Sequence, residues 1–451
     1  MSRLQITDSR LQTPDSRLFR KMRRFLTATI FFTFTFASLI HISPSQSTAK
    51  AAPQSSGWAW QEMTVEEGQS PEPRRNGVTV YDSAGKRIIL FGGIGQTLLL
   101  NDTWSFDPAA GRWTRLDTTG TPPGRRLGHN AIYDPVGNQM IVWAGQQGST
   151  FFNDTWSLDL ATMEWRNLTP DSRPRARYGS ASVFDPVERQ LVQFAGFTEE
   201  GRRFQDTQGF DLDTGAWEDH TPQGNKPGVR CLLTAAYDRV SRRMIIYGGQ
   251  RSGWLDDLWA FDLATRQWEE LTPQDRPAGR FFAESFIDAD GRLIVFGGST
   301  SNGDVNETWS YDFDSRQWSR VEIADPPSPR NGMMGAFIPE ENRFIIFGGT
   351  GSSLFNDVWE LRGPAPVLPE ILEAAVNGKR LFVTGKNFDD GARVIVNGQK
   401  QKTVNDDAQP SSMLIAKKAG KKIVRGQTVV LQVRNSDGKL SQEFSYTRPA
   451  Q

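Results

Sequence analysis

The feature that most constrains the fold is a motif that recurs six times at a period close to 50 residues. Each copy begins with an Arg, reaches a Gly some 19 residues later at the end of an apolar run, and continues into an acidic-x-Trp segment and a second Trp. The glycine pairs are Gly92-Gly93, Ala144-Gly145, Ala195-Gly196, Gly248-Gly249, Gly297-Gly298 and Gly348-Gly349, and their second members lie 52, 51, 53, 49 and 51 residues apart. A fixed period of this length indicates one structural unit copied into a radial array of small sheets.

Each copy is predicted to form four short strands. In the second copy, which starts at Arg126, we expect strands at Leu127–Asp134, Gln139–Ala144, Asn153–Asp159 and Trp165–Leu168. The second of these is mostly apolar, as expected of a strand buried on both faces, whereas the third alternates polar and apolar residues. Four antiparallel strands joined in sequence form one blade of a propeller.

These residues resemble the kelch motif, in which an apolar strand ends in Gly-Gly and is followed by Asn-Asp-x-Trp and a later Trp. The first copy shows the motif in Ile88–Gly93, Asn101-Asp102-Thr103-Trp104 and Trp113, and the last copy shows it in Ile345–Gly349 and Asn356-Asp357-Val358-Trp359. The resemblance covers residues 57–362 and implies a kelch β-propeller. The third copy departs from the motif, because Asp206-Thr207-Gln208-Gly209-Phe210 lacks the first Trp. We therefore expect its blade to pack less firmly on one side.

The two ends of the repeat region complement each other. The last copy stops at Glu360-Leu361-Arg362 without an outer Trp strand, while an outer strand, Trp58–Met63, precedes the first copy. Trp60 continues the series of outer tryptophans backwards by 53 residues from Trp113. The sequence thus predicts an all-β fold: a six-bladed propeller closed by its N-terminal strand, with no free sheet edge at the seam.

A second, smaller unit follows the repeats. Residues 363–369 form a Pro-rich linker, and residues 370–448 alternate short apolar runs with Gly- and Asn-rich turns. The stretches Thr384-Gly385-Lys386-Asn387-Phe388 and Val396-Asn397-Gly398, with Asn435–Gly438 and Ser441, resemble an IPT/TIG domain. That resemblance implies a small immunoglobulin-like β-sandwich, which spaces domains or contacts partners more often than it catalyses reactions.

The N-terminal segment is typical of a secretory leader. A basic stretch at 20–24 precedes the apolar residues 25–42, and Ala49-Lys50-Ala51 resembles a cleavage site. We expect residues 1–51 to be a signal peptide, with an uncleaved membrane anchor as the alternative. Met22 offers a second start that would leave residues 1–21 untranslated. Either way, we expect a secreted, periplasmic or cell-surface protein that is not in the membrane once the signal is cleaved.

Charge and cysteine content narrow the class of partner. Residues 52–362 hold 42 acidic and 30 basic side chains, an excess that argues against nucleic acid as the partner. The single cysteine, Cys231, cannot form an intramolecular disulfide. We expect a monomer whose partner is an extracellular or periplasmic protein or glycan.

Candidate binding residues lie on loops. Because strand direction alternates, the loops before each Arg and after each glycine pair share one side of the repeats, here called the glycine-pair face. The opposite side, here called the hairpin-turn face, carries short turns such as Asp82–Lys86. The longer loops are the expected recognition sites, with the apolar tip residues Leu98, Phe151, Phe152, Trp254 and Phe355. The alternative is that the last apolar residue of each loop only anchors the next strand.

The six arginines that begin the copies form a second candidate set. The kelch resemblance implies that they tie neighbouring turns together by bonding carbonyl groups near the glycine pair. If some point into the channel, Arg126, Arg280 and Arg330 would suit a carboxylate or an acidic sugar. Glu284 is the one carboxylate at its position, where the other copies have Val78, Asn130, Ala181, Thr234 and Met334. A salt bridge from Glu284 to one of these arginines is favoured over a catalytic role.

These observations favour a binder over an enzyme. Galactose oxidase-like proteins also join a kelch propeller to an immunoglobulin-like domain, but they bind copper through His and Tyr. Beyond residue 51 this chain has only His129 and His220, on different copies, so we expect no metal or other cofactor. The predicted function is an exported, non-catalytic recognition module. The alternative is a metal-free carbohydrate-active enzyme similar to kelch sialic acid mutarotases, with Glu284 and Arg280 or Arg330 at its site.

Overall fold

The structure is a computed structural model that describes residues 57–436 and 439–450. The leader and the alternative start lie outside the described residues. Within them the regular structure is β apart from two 3₁₀ helices, Pro339–Glu341 and Ala419–Lys421, and neither helix is long and apolar enough to span a bilayer. The prediction of an all-β chain is confirmed for this part of the protein.

The repeats form six four-stranded antiparallel sheets. Strand β1 is Ala59–Glu62. The first sheet contains β2 (Val78–Asp82), β3 (Arg87–Ile94), β4 (Leu99–Asp107) and β5 (Arg112–Arg115), and the second contains β6 (Asn130–Asp134), β7 (Gln139–Trp143), β10 (Thr155–Asp159) and β11 (Trp165–Asn167). The third contains β12 (Ala181–Asp185), β13 (Gln190–Phe194), β14 (Thr207–Asp211) and β15 (Trp217–Asp219). The next three contain β16 (Thr234–Asp238), β17 (Arg243–Tyr247), β18 (Leu258–Asp262), β19 (Gln267–Glu270); β21 (Glu284–Ile287), β22 (Leu293–Phe296), β25 (Thr308–Asp312), β26 (Gln317–Val321); and β27 (Met334–Ile338), β28 (Arg343–Phe347), β29 (Val358–Arg362) with β1.

Short strands in the loops supplement these sheets. A hairpin joins β8 (Gln146–Gln147) to β9 (Thr150–Phe151), and a three-stranded sheet contains β20 (Arg280–Phe281), β23 (Ser299–Thr300) and β24 (Gly303–Asp304). The loops of the glycine-pair face are therefore partly ordered by backbone pairing, which places their tips in defined positions.

The N-terminal strand completes the sixth sheet. In β1, Trp60 pairs with Leu361 of β29, so the last strand of this sheet comes from the opposite end of the repeat region. The inner strands are neighbours in the order β2, β6, β12, β16, β21 and β27, and β27 also contacts β2.

The outer tryptophans link successive sheets. Each packs on the aromatic residue that directly precedes the glycine pair of the preceding sheet, with ring centroids 4.4–5.1 Å apart. The pairs are Trp113–Phe347, Trp165–Phe91, Trp217–Trp143, Trp268–Phe194, Trp318–Tyr247 and Trp60–Phe296. Tilted aromatic pairs of this kind add to the free energy of burial, so the repeat period is also the period of the contacts between sheets.

The glycine pairs follow from backbone geometry. The second member of every pair has φ between 93° and 114°, and a Cβ on Gly93 or Gly249 would lie 2.8 Å from a backbone oxygen. The first member is left-handed with φ of 64–68°, a conformation that Ala144 and Ala195 also adopt. The second glycine is therefore required, whereas the first tolerates Ala at some cost.

The third copy compensates for its missing tryptophan. In the other five copies the Trp Nε1 donates to the acidic residue two positions earlier, at 2.7–3.0 Å. Here Gln208 Nε2 donates to Asp206 at 3.2 Å, and His220 packs beside Gly209, where a Cβ would lie 2.3 Å from its ring. The acidic residue thus keeps a donor although the indole is absent.

The C-terminal residues form two further four-stranded sheets. One contains β30 (Glu370–Asn377), β31 (Arg380–Lys386), β35 (Met413–Ala416) and β34 (Thr403–Asn405), and the other contains β33 (Gln399–Lys400), β32 (Arg393–Val396), β36 (Thr428–Arg434) and β37 (Phe444–Thr447). Leu381 and Val383 of the first sheet share a buried cluster with Val394, Leu431 and Val433 of the second. The two sheets therefore enclose one hydrophobic core.

Candidate functional site

Six backbone hydrogen bonds link successive copies at the glycine-pair face. They surround an opening between the six inner strands, which is called the channel mouth below. Each joins the N–H of one copy to the carbonyl of the copy before it, at 2.6–3.0 Å, and the sixth joins Asn76 to Gly332. The residues involved are Asn76, Gly128, Gly179, Leu232, Phe282 and Gly332, all with φ between 54° and 64°. The channel mouth is thus held by backbone, and its side chains can vary from copy to copy.

The six arginines lie behind this mouth and are 0–1% exposed. Arg126 is representative: its Nη1 and Nη2 atoms each lie 2.8 Å from a carboxylate oxygen of Asp154, and Nη1 and Nε donate to the carbonyls of Ala144 and Gly124 at 2.9 Å. The equivalent acidic partners are Asp102 for Arg74, Asp206 for Arg177, Asp257 for Arg230, Glu307 for Arg280 and Asp357 for Arg330.

This pairing corrects the expectation that Arg126, Arg280 and Arg330 could contact a ligand. Their guanidinium groups are buried and their donors are used inside the protein, so a ligand finds no surface of them to bind. The bonds to carbonyls of the glycine pairs agree with the structural role that the kelch resemblance implied. Sequence reasoning missed the carboxylate partners, although each acidic residue stands in the Asn-Asp-x-Trp segment 27–29 residues after its Arg.

The pairing also sets the charge of the carboxylates. Burial alone would raise the pKa of Asp154, but the hydrogen bonds and charge of Arg126 hold it below its usual value. The pKa values of Asp102 and Asp257 are lowered by Arg74 and Arg230 in the same way. Asp102, Asp154 and Asp257 therefore remain ionised and paired at neutral pH.

Two predicted loop residues, Phe152 and Phe355, belong to this scaffold. Their rings cover the guanidinium groups of Arg126 and Arg330, with the Arg Cζ atom 4.3 Å from each ring centroid. Their backbone N–H groups donate to Gly145 and Gly349 at 2.9 Å. The geometry favours the anchoring alternative for both residues, with cation–π contact as the physical reason.

Phe151 belongs instead to an aromatic cluster on the glycine-pair face. Its ring lies 6.4 Å from Tyr178 and 6.0 Å from Phe197, and Arg203 lies over Phe197 at 5.3 Å. Phe151 is half-buried, so part of its ring faces solvent. Tyr178 and Phe197 were missed by the sequence analysis, although each sits next to a recognised position, after Arg177 and Gly196.

Trp254 is the most exposed large aromatic residue on this face, at 45%. It stacks on Phe281 with a centroid distance of 6.3 Å and an interplanar angle of 16°, and Phe281 contacts Phe282 at 5.7 Å. Leu98 is 63% exposed at the tip of the first loop. An aromatic cluster with one ring in water is a common anchor for a protein or sugar partner.

Glu284 does not form the predicted salt bridge. Arg280 is paired with Glu307 and Arg330 with Asp357, and Glu284 forms no ion pair within residues 57–436 and 439–450. The carboxylate instead faces a cavity of about 180 Å³ at the channel mouth. Burial raises its pKa to about 8, an effect that a hydrogen bond from the Gly335 N–H only partly offsets.

Glu284→Gln is therefore expected to change how stability depends on pH. Folded wild-type protein keeps the Glu284 proton up to about pH 8, whereas the unfolded chain releases it near 4.5, so the free energy of unfolding falls as pH rises between these values. Because the side chain is only half-buried, we expect Gln to stabilise the protein by about 2 kcal/mol at pH 9, with little change at pH 4.5. Urea unfolding of both proteins at the two pH values measures this, and equal midpoints at pH 9 would contradict it.

The remaining titratable candidates lie apart. Burial and the charge of Arg126 lower the pKa of His129 to about 3, so its ring is neutral, and it packs on Phe91 at 5.4 Å. Cys231 is buried, and burial raises the pKa of its thiol. The described part of the chain contains no group of three or more His, Cys, Asp or Glu residues arranged to hold a metal ion.

The hairpin-turn face opens on a second cavity of about 390 Å³. An aromatic residue from each of the six inner strands lines it: Tyr81, Tyr133, Phe184, Tyr237, Phe286 and Phe337. Five of these residues lie one or two positions before an Asp that begins a turn, whereas Phe337 precedes the 3₁₀ helix Pro339–Glu341. They were not among the residues predicted from the sequence. The rings pack partly on the sheets, as Phe337 does on Phe286 at 4.5 Å.

Comparison with known proteins agrees with this architecture. The family model described as the KLHDC2/KLHL20/DRC7 Kelch-repeats domain matches residues 53–185 and 186–363. The chain is 27% identical over 197 residues to Kelch domain-containing protein 10 of Xenopus tropicalis, covering 42% of this chain and 47% of that protein. It is 28% identical over 234 residues to Adagio-like protein 1 of rice, Oryza sativa subsp. japonica, covering 49% of this chain and 36% of that protein. It is 25% identical over 243 residues to the flagellar outer-arm dynein alpha chain of Chlamydomonas reinhardtii, covering 49% of this chain and 5% of that protein. The chain thus spans less than half the length of these relatives.

Proposed function

The chain belongs to the kelch-repeat family, and from this premise we propose that it is an exported recognition module that binds a protein or glycan partner through its glycine-pair face. Kelch repeats are protein-interaction modules, and one observation carries the choice of face. The loops there present two aromatic clusters, around Phe151 and around Trp254, each with a partly exposed ring on a well-packed base. Rigid aromatic anchors of this kind dominate binding energy at interfaces.

The proposal includes a closed, six-bladed propeller over residues 57–362. Its support is the pairing of β1 with β29 and the chain of outer-Trp contacts that includes Trp60 and Phe296. A closed ring of blades leaves only the short outer strand of each blade as a sheet edge, in keeping with a monomer. The Pro-rich linker at 363–369 then joins the propeller to residues 370–448, which we propose to be an immunoglobulin-like IPT/TIG domain because two sheets there enclose one core.

Export is proposed from the sequence of residues 1–51, with the signal peptide as the first choice. A secreted, periplasmic or cell-surface location would give the glycine-pair face access to extracellular or periplasmic proteins and glycans. A single cysteine, buried at 2% exposure, is compatible with an oxidising compartment because it offers little surface for exchange.

The enzymatic alternative has less support, because it places an arginine beside Glu284. It required Arg280 or Arg330 beside Glu284, and both guanidinium groups are buried against other carboxylates. Without a cationic group at the cavity, a sugar carboxylate has nothing to bind there. We therefore retain recognition as the proposed function.

Removing the two aromatic anchors is expected to abolish binding. For the double variant Phe151→Ala/Trp254→Ala we expect at least tenfold weaker binding to glycan arrays or to protein from the cell envelope, because each exposed ring contributes at least 1 kcal/mol at such an interface. The matched control is Val136→Ala/Val187→Ala, which alters exposed apolar residues, 70% and 66% exposed, on the hairpin-turn face. Unchanged binding by the aromatic variant, or loss of binding by the control, would contradict the choice of face.

A further inference from the structure

The channel mouth at the glycine-pair face contains a small cavity with a single carboxylate. It measures about 180 Å³ and takes residues from all six inner strands or the turns before them. Small-molecule pockets usually measure about 300–1,000 Å³. The size therefore suits one inserted side chain better than a whole metabolite.

The chemistry of the mouth is asymmetric. On the side of the first three copies the residues are small or polar, including Gly128, Gly179 and Ser180. On the side of the last three copies the wall contains Leu232, Phe282 and Met333, with Glu284 among them. An apolar wall around one carboxylate is complementary to a side chain with an aliphatic stem and a cationic end.

Two of these apolar side chains, those of Leu232 and Phe282, lie on a backbone conformation that glycine adopts more easily. Leu232 and Phe282 have φ of 60° and 54°, the same left-handed conformation that Gly128, Gly179 and Gly332 adopt without penalty. Bulky residues rarely occupy this region, and such strain concentrates at sites of function. Glycine occupies the equivalent position in three copies, so the backbone conformation alone does not call for Leu232 or Phe282, whose side chains border the mouth.

The cavity contains one carboxyl group that has no basic partner in the described part of the chain. Among the residues lining the cavity, only Glu284 and His129 have titratable side chains, and His129 is neutral because burial and Arg126 lower its pKa to about 3. The nearest arginines of this side, Arg280 and Arg330, are held by Glu307 and Asp357. A cation entering the cavity would favour the ionised form of the Glu284 carboxyl group, which has no other ion-pair partner among the described residues. The excess of acidic residues in 52–362 would attract the cation from a distance.

We propose that the channel mouth receives a Lys or Arg side chain of a protein partner, with Glu284 as the paired carboxylate and Leu232, Phe282 and Met333 around the aliphatic stem. This inference rests on the proposed function, since it names the chemistry of a partner seated on the glycine-pair face. Trp254 and Phe281 lie beside Phe282 and would cover the residues that flank the inserted side chain.

The test uses n-butylammonium and n-butylguanidinium as probes for the two side chains, with the full chain labelled at the methionine methyl groups. Met333 and Met334 line the cavity, so their methyl resonances report binding there. Met140 and Met244 are buried in other sheets, and their resonances serve as internal controls. We expect saturable shifts of Met333 and Met334 alone, with a dissociation constant of about 1–10 mM for so small a ligand. Neutral n-butanol is the control and should bind at least tenfold more weakly.

Glu284→Gln should weaken binding of both cations at least tenfold and leave n-butanol unaffected. Affinity of the wild-type protein should also rise about thirtyfold from pH 6.5 to pH 9, as the Glu284 carboxyl group ionises, and this dependence should vanish in the Gln variant. Equal binding by the two proteins, or shifts at Met140 and Met244 instead, would overturn the inference. The unfolding midpoint of the variant at pH 6.5 confirms that it is folded.

The two proposals fail separately. If the probes do not bind but Phe151→Ala/Trp254→Ala still loses a partner, the cationic insertion is wrong and recognition by the glycine-pair face stands. If the probes bind and that double variant keeps every partner, the cavity accepts cations but the aromatic clusters are not the recognition surface.

Discussion

Arg126→Ala is expected to lower the free energy of unfolding by about 3 kcal/mol or more. The change leaves Asp154 without its bidentate partner and removes the donors to the carbonyls of Ala144 and Gly124. It also removes the cation beneath the ring of Phe152. Urea unfolding followed by tryptophan fluorescence measures the loss.

The neighbouring residue provides a matched control. Arg125 is exposed, and its Nη1 donates to the carbonyl of Leu99 at 2.8 Å. We expect Arg125→Ala to change the free energy of unfolding by about 0.5 kcal/mol or less, as is usual for surface substitutions. A similar loss in both variants would contradict the structural role assigned to the arginine ring, and so would a loss of less than 1 kcal/mol in Arg126→Ala.

Deleting residues 57–64 is expected to have a comparable or larger effect. The deletion removes β1, in which Ala59 pairs with Arg362 and Glu62 pairs with Trp359 of β29. Strand β29 then becomes the unpaired edge of the sixth sheet. It also removes Trp60, which is 6% exposed, packs on Phe296 at 4.5 Å and donates from Nε1 to Thr308 Oγ1 at 3.3 Å. An unpaired edge of this length is also expected to promote aggregation.

The point variant Trp60→Ala isolates the contribution of the side chain. Removing a buried Trp costs about 3–5 kcal/mol, whereas Gln61→Ala changes an exposed residue of the same strand and should be nearly neutral. Thermal unfolding of the three proteins ranks them. Melting of the deletion variant within a degree or two of wild type would show that β1 does not close the propeller.

The repeat could be predicted from the sequence because the residues that define each copy are fixed by local backbone geometry and by single side-chain contacts. The second glycine of each pair has a backbone conformation open only to Gly, so it survives in all six copies, and the outer tryptophans recur because each packs on an aromatic residue of the preceding sheet. These constraints act through the backbone and through one-residue contacts. A single sequence displays them directly.

The candidate site was harder to predict because its contacts join residues that are far apart in the sequence. Arg126 and Asp154 belong to one copy but are 28 residues apart, and the spacing alone does not distinguish a paired arginine from one open to a ligand. Likewise, Tyr178 and Phe197 form a cluster with Phe151 only after two repeats are placed side by side. The absence of a partner for Glu284 depends on where every neighbouring arginine is already bound, which the sequence does not reveal.

The measurement that tests recognition by the glycine-pair face most directly is site-specific photo-crosslinking in the native compartment. A photoreactive phenylalanine is placed at Phe151 or Trp254 on that face, and at Val136 or Val187 on the hairpin-turn face, each in the full chain. The account predicts one partner, the same from positions 151 and 254, and none from positions 136 and 187. Crosslinking of that partner only from positions 136 and 187 would contradict it.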